Sequence, residues 1–168
     1  MAARDVIKNQ NLFVDGRGYA GQLQEVNPPK LELMVEEFRG GGMDVPVDLT
    51  MGMNKLVGDF TLISYDKDVL SLFGVAEGST VPFVIREALE SYDGTPTAVV
   101  HTMRGKITSL DPGTHAPGKL APLKVSVSLN YYKQQHGDTV VHEIDAVNMI
   151  RTINGVDALA SQRAALGI

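Results

Sequence analysis

A chain of 168 residues with 43% hydrophobic side chains is long enough to bury a core without covalent staples. It contains no Cys, which excludes a disulfide framework, a thiolate metal site and a cysteine nucleophile. Fifteen Lys and Arg against twenty Asp and Glu give a net charge of −5, the wrong sign for a protein that grips nucleic acid by neutralising phosphates.

Met1 to Gln10 mixes Arg4, Asp5 and Lys8 with few apolar residues and lacks the apolar centre of a secretory signal. No apolar run approaches the ~18 residues of a spanning helix. The expectation is one domain over residues 1–168, made in a cytosol, with no membrane insertion by the isolated subunit. Asn11-Leu12-Phe13-Val14 before Asp15-Gly16 reads as a strand entering a tight turn, because Asp-Gly tolerates the positive φ angles of a hairpin. Arg17 to Val26 would return beside it, closed by Asn27-Pro28-Pro29. Leu31 to Phe38 fits a strand through Leu31, Leu33 and Val35, and a helix through Leu31, Met34, Val35 and Phe38. Periodicity leaves both open.

Gly40-Gly41-Gly42 breaks regular structure and reads as a hinge from which an arm leaves the body, with a plain turn as the alternative. Beyond it Val45, Val47, Leu49, Met51 and Met53 alternate with Pro46, Asp48, Thr50, Gly52 and Asn54, which predicts a strand with one apolar face. Lys55 to Ile63 continues extended, with Gly58 at a bulge or a close approach. A short helix follows, capped by Asp66, striped by Val69, Leu70, Leu72 and Phe73, and ended by Gly74. Val81–Leu89 and Thr97–Ser109 flank an Asp93-Gly94 turn. After a loop rich in Gly, Pro and Thr, Leu123, Val125, Val127, Leu129 and Tyr131 mark the clearest strand. Thr139 to Ile150 returns beside it, and Asn154 would cap a terminal Ala-rich helix with Asp157 in its first turn and Leu159, Ala160 and Leu166 on one side. The fold expected is mainly antiparallel β, a sandwich or barrel with a short internal helix and a C-terminal helix.

Catalytic patterns are weak. His101, His115, His136 and His142 form no metal-ligand pair, and Glu143 and Asp145 share a strand face that His142 does not. The glycine triplet lacks the Lys and Ser/Thr of a phosphate loop. Glu32, Glu36 and Glu37, and Asp48 and Asp59, read as solvated acidic faces rather than paired catalytic carboxylates. No enzyme, cofactor or metal is expected. By contrast, the Met-rich apolar strand 45–53 fits either ordinary core, the default for a compact monomer, or a protein surface; guarded only by Pro46 and Asp48, its edge points to pairing.

Several strings together resemble one family. Asn11-Leu12-Phe13-Val14-Asp15-Gly16, Pro29-Lys30-Leu31, Phe38-Arg39-Gly40-Gly41-Gly42-Met43-Asp44 with Pro46-Val47, Tyr131-Tyr132-Lys133, Glu143-Ile144-Asp145 with Val147-Asn148, and Ile153-Asn154-Gly155-Val156-Asp157 with Leu159-Ala160 occur in the order seen in the major tail tube proteins of contractile-tailed bacteriophages and the tube proteins of R-type pyocins. Residues 73–96 carry no such string, and Phe38 stands where Tyr is common in that family. The resemblance implies that Leu31–Phe38 is a strand. It also implies a homohexameric ring with a shared inner β-barrel, stacked into a hollow tube within a sheath, with tape-measure and baseplate proteins as further partners.

On that reading DNA or other cargo passes without specific binding, and the chain ends in a virion tail or a released tail-like particle. An assembly arm spans about 39–62, with ring contacts at Phe38, Arg39, Gly40, Gly41, Gly42, Met43, Asp44, Val45, Val47, Leu49, Met51 and Met53, and with Asp48 and Asp59 facing the lumen. The competing readings are a monomeric β module that binds a ligand, and a hydrolase using His101 or His142.

Overall fold

In the computed structural model, which describes residues 3–168, the strands are β1 (Val6–Val14), β2 (Arg17–Gly18), β3 (Leu23–Asn27), β4 (Leu33–Phe38), β5 (Val47–Met53) and β6 (Leu56–Leu62). Helix α1 (Lys67–Ser71) separates them from β7 (Val81–Glu90), β8 (Pro96–Asp111), β9 (Leu123–His136), β10 (Thr139–Asp145), β11 (Ile150–Ile153) and β12 (Val156–Asp157), and α2 (Ala160–Leu166) ends the described chain. All the strand pairs are antiparallel.

The alternation in β7 and β9 becomes burial. Val81, Phe83 and Ile85 of β7 and Leu123, Val125, Val127 and Leu129 of β9 all point into the core. β9 organises the sheet. Along one edge it pairs with β8, while β6 takes the other edge over Leu123–Leu129 and β10 takes it over Tyr131–His136, so the sheet forks. The order β3-β6-β9-β8-β7-β1 then curls on itself. Phe60 of β6 and Phe83 of β7 lie with ring centroids 6.1 Å apart. Two strands separate them in the sheet, which would put them ~14 Å apart if it were flat. At the open side the Tyr19 amide donates to the Leu12 carbonyl (2.8 Å) and the Leu23 amide to the Tyr19 carbonyl (3.1 Å), which brings β3 against β1. Each fully buried Val, Leu, Ile or Phe inside this barrel contributes roughly 1.5–3 kcal/mol.

Two backbone approaches are close enough to favour glycine, and the second requires it. A Cβ on Gly58 would sit 3.3 Å from the Asn27 carbonyl oxygen, the close approach expected there. A Cβ on Gly105 would overlap the Ser128 carbonyl and lie 2.9 Å from Leu129 Cα. That second contact marks a bulge. Gly105 pairs with Leu129 and Arg104 with Tyr131, so Asn130 is left over and the inward positions of β9 pass from odd to even numbers. Tyr132 is therefore buried, and Tyr131 turns outward, against the simple alternation read from the sequence.

Other expectations need correction. Arg17–Val26 does not return whole beside β1: only Arg17–Gly18 pairs with it, and Leu23–Asn27 joins β6. Thr139–Ile150 is not one strand. Asp145 accepts from the amides of Val147 and Asn148 (3.0 Å each), the chain reverses, and β11 pairs back onto β10. Asn154 caps no helix. With Gly155 it takes positive φ (48° and 79°) in the turn between β11 and β12, and α2 begins only at Ala160. Phe73, placed on the α1 stripe, is exposed at 53%.

Helix α1 itself is well specified. Asp66 Oδ1 accepts from the amides of Asp68 (2.8 Å) and Val69 (3.1 Å), and Val69 enters the core. Asp66→Ala should lower the free energy of unfolding by about 1 kcal/mol, the usual cost of losing an N-cap, read as a shift in urea midpoint at unchanged slope.

Candidate assembly surface

Among the described residues strands β4 and β5 pair only with each other, forming a two-stranded sheet apart from the ten-stranded one. Phe38 stands opposite Val47, Glu36 opposite Leu49, and Met34 opposite Gly52, so Met34, Phe38, Val47 and Leu49 share one largely apolar face with the single carboxylate of Glu36. Phe38 is 51% exposed, Val47 47%, Leu49 43% and Met34 49%. An isolated hairpin is marginal in water, and an uncovered face of this kind is a candidate interaction surface.

The alternation read for 45–53 breaks near its end. Val35 pairs with Thr50 and Met34 with Gly52, leaving Met51 as a bulge, and Met53 then falls opposite Leu33 on the face of Asp48 and Thr50. Gly52 takes φ +134° there. Met53 packs against the core while Val45 and Met51 are exposed.

The glycine triplet sits at the far tip of the hairpin, so it is the plain turn and not a hinge at the arm's root. The Met43 amide donates to the Gly40 carbonyl (3.2 Å), Arg39 Nε donates to the Met43 carbonyl (2.9 Å), and Gly42 takes φ +84°. The root is clamped: Asn54 donates its amide to the Glu32 carbonyl (2.9 Å) and Nδ2 to Glu32 Oε2 (3.0 Å). Hydrogen bonds from Lys30 first, and then Asn54, hold the Glu32 carboxyl below its ordinary range. The segment 39–62 is thus not a structural unit. The hairpin is Leu33–Met53, and β6 belongs to the main sheet, with Leu56, Phe60 and Leu62 in the core.

Asp48 lies directly across from Glu37, both exposed, an acidic pair that is unfavourable in isolation. Asp59 sits on a different sheet. It lies in β6 opposite Asn27 and Ser126, and its Oδ1 accepts from Asn27 Nδ2 at 2.7 Å. The two carboxylates proposed to face one opening are therefore carried by separate elements.

The two histidines weighed as catalytic are tied up in a hydrogen-bonded chain. His101, 4% exposed, has Nδ1 at 3.0 Å from the Tyr132 hydroxyl and Nε2 at 3.3 Å from Glu87 Oε2. The Tyr132 hydroxyl also donates to Gln134 Oε1 (3.4 Å), which lies 3.1 Å from His142 Nδ1. Burial, and then the nearby Glu87 charge, push the Tyr132 phenol up to about 12. An acid whose neutral form is favoured by folding stabilises the protein below its unfolded value near 10 and loses that contribution as pH rises through 12. In an alkaline absorbance titration three of the five tyrosines, Tyr19, Tyr131 and Tyr132, should ionise above the ordinary phenol range with Tyr132 last, and Tyr132→Phe should remove that last step.

A family model described as phage tail tube protein FII matches residues 4–167. The chain belongs to the phage tail tube family. The tail tube protein of Escherichia phage P2 is 31% identical over 172 residues, covering 100% of both chains. The major tail tube protein of Serratia phage KSP20 is 28% identical over 163 residues, covering 92% of this chain and 91% of that protein. A chain in the six-fold symmetrised cryo-EM structure of the anti-feeding prophage baseplate matches with TM-score 0.44 and 16% identity, over 75% of this chain and 90% of that one. At that level nothing about symmetry transfers.

Membership makes this a structural tail tube chain and not an enzyme, and His101 is buried beside Tyr132 of the core. Sequence reasoning missed Leu33, Met34 and Val35 as arm residues. The signal was present in the apolar run before the glycines, but its partner strand lay beyond them.

Proposed function

We propose that this chain is the inner tube subunit of a contractile particle, in which six copies close into a ring and rings stack into a hollow tube within a sheath. The observation that carries this reading is the β4–β5 hairpin, whose apolar face has no partner among the described residues of its own chain. Head-to-tail contacts closed by rotation would cover it and leave no open edge. If each of six copies gives four strands to a common inner sheet, about 24 strands spaced ~4.8 Å and tilted ~40° make a wall about 48 Å across. Allowing about 5 Å of side chain on each side leaves a bore near 38 Å, wide enough for a DNA duplex. Sheath, tape-measure and baseplate proteins are the further partners, and the particle is a virion tail or a released tail-like assembly.

At −5 per chain a ring of six would carry about −30, which repels phosphates and lets a genome slide. Asp48 with Glu37, and Asp59 among Asn27, Ser126 and Ser128, are the proposed lumen groups. In tubes reconstituted from Asp48→Lys or Asp59→Lys chains, short duplex DNA should be retained, with retention falling as salt rises. Equal passage through variant and unaltered tubes would remove both residues from the lumen. The assembly itself is tested by sedimentation velocity across a concentration series: fast-sedimenting polymers are expected, and a single slow species throughout would contradict the reading.

A further inference from the structure

Beyond Ala158, whose amide donates to the Arg151 carbonyl (2.8 Å), no backbone group bonds to another element among the described residues. The later bonds are local: the Leu159 amide to Asp157 Oδ1 (3.0 Å), the Arg163 amide to the Leu159 carbonyl (3.0 Å) and the Ile168 amide to the Arg163 carbonyl (3.2 Å). Helix α2 has no buried residue, and the side expected to pack does not, since Leu166 is 65% exposed. The one half-buried residue of α2 is Arg163. Its guanidinium bridges two acceptors, with Nη1 donating to the Met149 carbonyl (2.8 Å) and Nη2 to Asp157 Oδ2 (2.6 Å). Both acceptors stand on fixed chain. Met149, at φ +54°, follows the turn that Asp145 holds through Val147 and Asn148, and Asp157 pairs with Thr152.

We propose that α2 is a releasable strap latched by Arg163, and that the latch sets the shape of the surface beside the hairpin root. Leu159 and Gln162 line a groove of about 640 Å³ with Met53, Leu56 and Ile144, and both leave it when the strap lifts. A helix of seven residues does not persist alone in water, where even ~12–15 residues are marginal, so release and unwinding are one event. Each bond of the latch is charge-assisted, and the arginine fork offers both donors at once, whereas Lys would serve one acceptor at a time.

Acid releases it. Arg163 first, and then the Leu159 amide, hold the Asp157 carboxyl below its ordinary range. A carboxylate lowered in this way stabilises the closed form while it is ionised, and that contribution is lost as pH falls through its folded value. The charged groups beside it, Arg163 on α2 and Arg151 next to the strand partner Thr152, stay protonated throughout. The strap is therefore shut at neutral pH and opens only below the ordinary carboxylate range. This device belongs to the single chain and does not rest on the tube reading, so either can fall without the other.

With no native Cys, Ala165→Cys accepts one fluorophore on the exposed side of the helix. Its anisotropy should hold from neutral pH down to ~4 and fall below that. Arg163→Met should give the low value already at neutral pH, and Arg163→Lys a value between. In hydrogen exchange at neutral pH, amides 163–168 should exchange about tenfold faster or more in Arg163→Met, the scale of losing charge-assisted bonds, while the amides of β7 to β9 keep their rates. Asp157→Asn, which keeps an oxygen for the Leu159 amide, should loosen the same segment, and the double variant should loosen it no further. Unchanged anisotropy and exchange in Arg163→Met would overturn the proposal, because something else then holds the helix. So would loosening that spreads to β7 to β9, which makes Arg163 part of the fold and not a latch. Amides 163–168 already unprotected in the unaltered chain would leave nothing to release, and would overturn it equally.

Discussion

Val47→Asp/Leu49→Asp should yield a folded chain that no longer assembles. Both side chains are exposed on the apolar face of the hairpin and lie outside the core. Surface substitutions of this kind shift subunit stability by about 0.5 kcal/mol or less each. In a ring the same two positions would be covered, and because each is already about half covered in the monomer, burying the rest is worth roughly 0.7–1.5 kcal/mol each. Losing both costs at least about 1.4 kcal/mol per contact, about tenfold in association, before the cost of burying a carboxylate is added. Circular dichroism should show an unchanged thermal transition while sedimentation shows one slow species. Assembly at the concentration needed by the unaltered chain would mean that the hairpin is not the interface.

Gly105→Val should be the most damaging single change to the subunit itself. Its Cβ would meet the Ser128 carbonyl and Leu129 Cα, both backbone, so no flexible side chain can move aside. The ladder between β8 and β9 would have to open at the Asn130 bulge, beside the fork where β9 passes from β6 to β10. Overpacking of this kind costs about 3 kcal/mol or more, against a typical total of about 5–15 kcal/mol. The expected result is aggregation on expression or a large drop in urea midpoint. Gly41→Ala is the control. Nothing lies within 4 Å of its Cβ, and stability should stay within about 0.5 kcal/mol. A Gly105→Val chain as stable as the control would show that the strands can part freely there.

What could be read without the structure follows from what periodicity measures. Leu123, Val125, Val127 and Leu129 alternate within one unbroken ladder, and all four are buried as expected. The reading fails one residue later, because a bulge is a property of two strands. With Asn130 left unpaired, Tyr132 turns inward in place of Tyr131, and two adjacent aromatics give the sequence no mark of the change. Met53 slips to the other face for the same reason at Met51. Asp66 was legible as a cap because its partners lie two and three residues on, whereas Asn154-Gly155 offers a cap and a turn alike and only the pairing of β11 with β12 decides.

The glycine triplet shows the same limit on a larger scale. It plainly interrupts regular structure, but hinge and tip differ only in whether the segment beyond pairs with the segment before. Phe38 and Val47 are registered partners across the eight residues between them, so the arm starts at Leu33, within the stretch whose periodicity allowed helix or strand. The acidic residues carried the least information: Asp48 and Asp59 share a charge, yet they stand on different sheets and only assembly can bring them to one surface.

The most direct measurement is cryo-electron microscopy of the purified chain, averaged in cross-section. The account predicts hollow particles with six-fold end views, a bore near about 38 Å, and each copy's hairpin covered by a neighbour. Compact 18.1 kDa monomers at every concentration, with the hairpin left bare in solution, would contradict it.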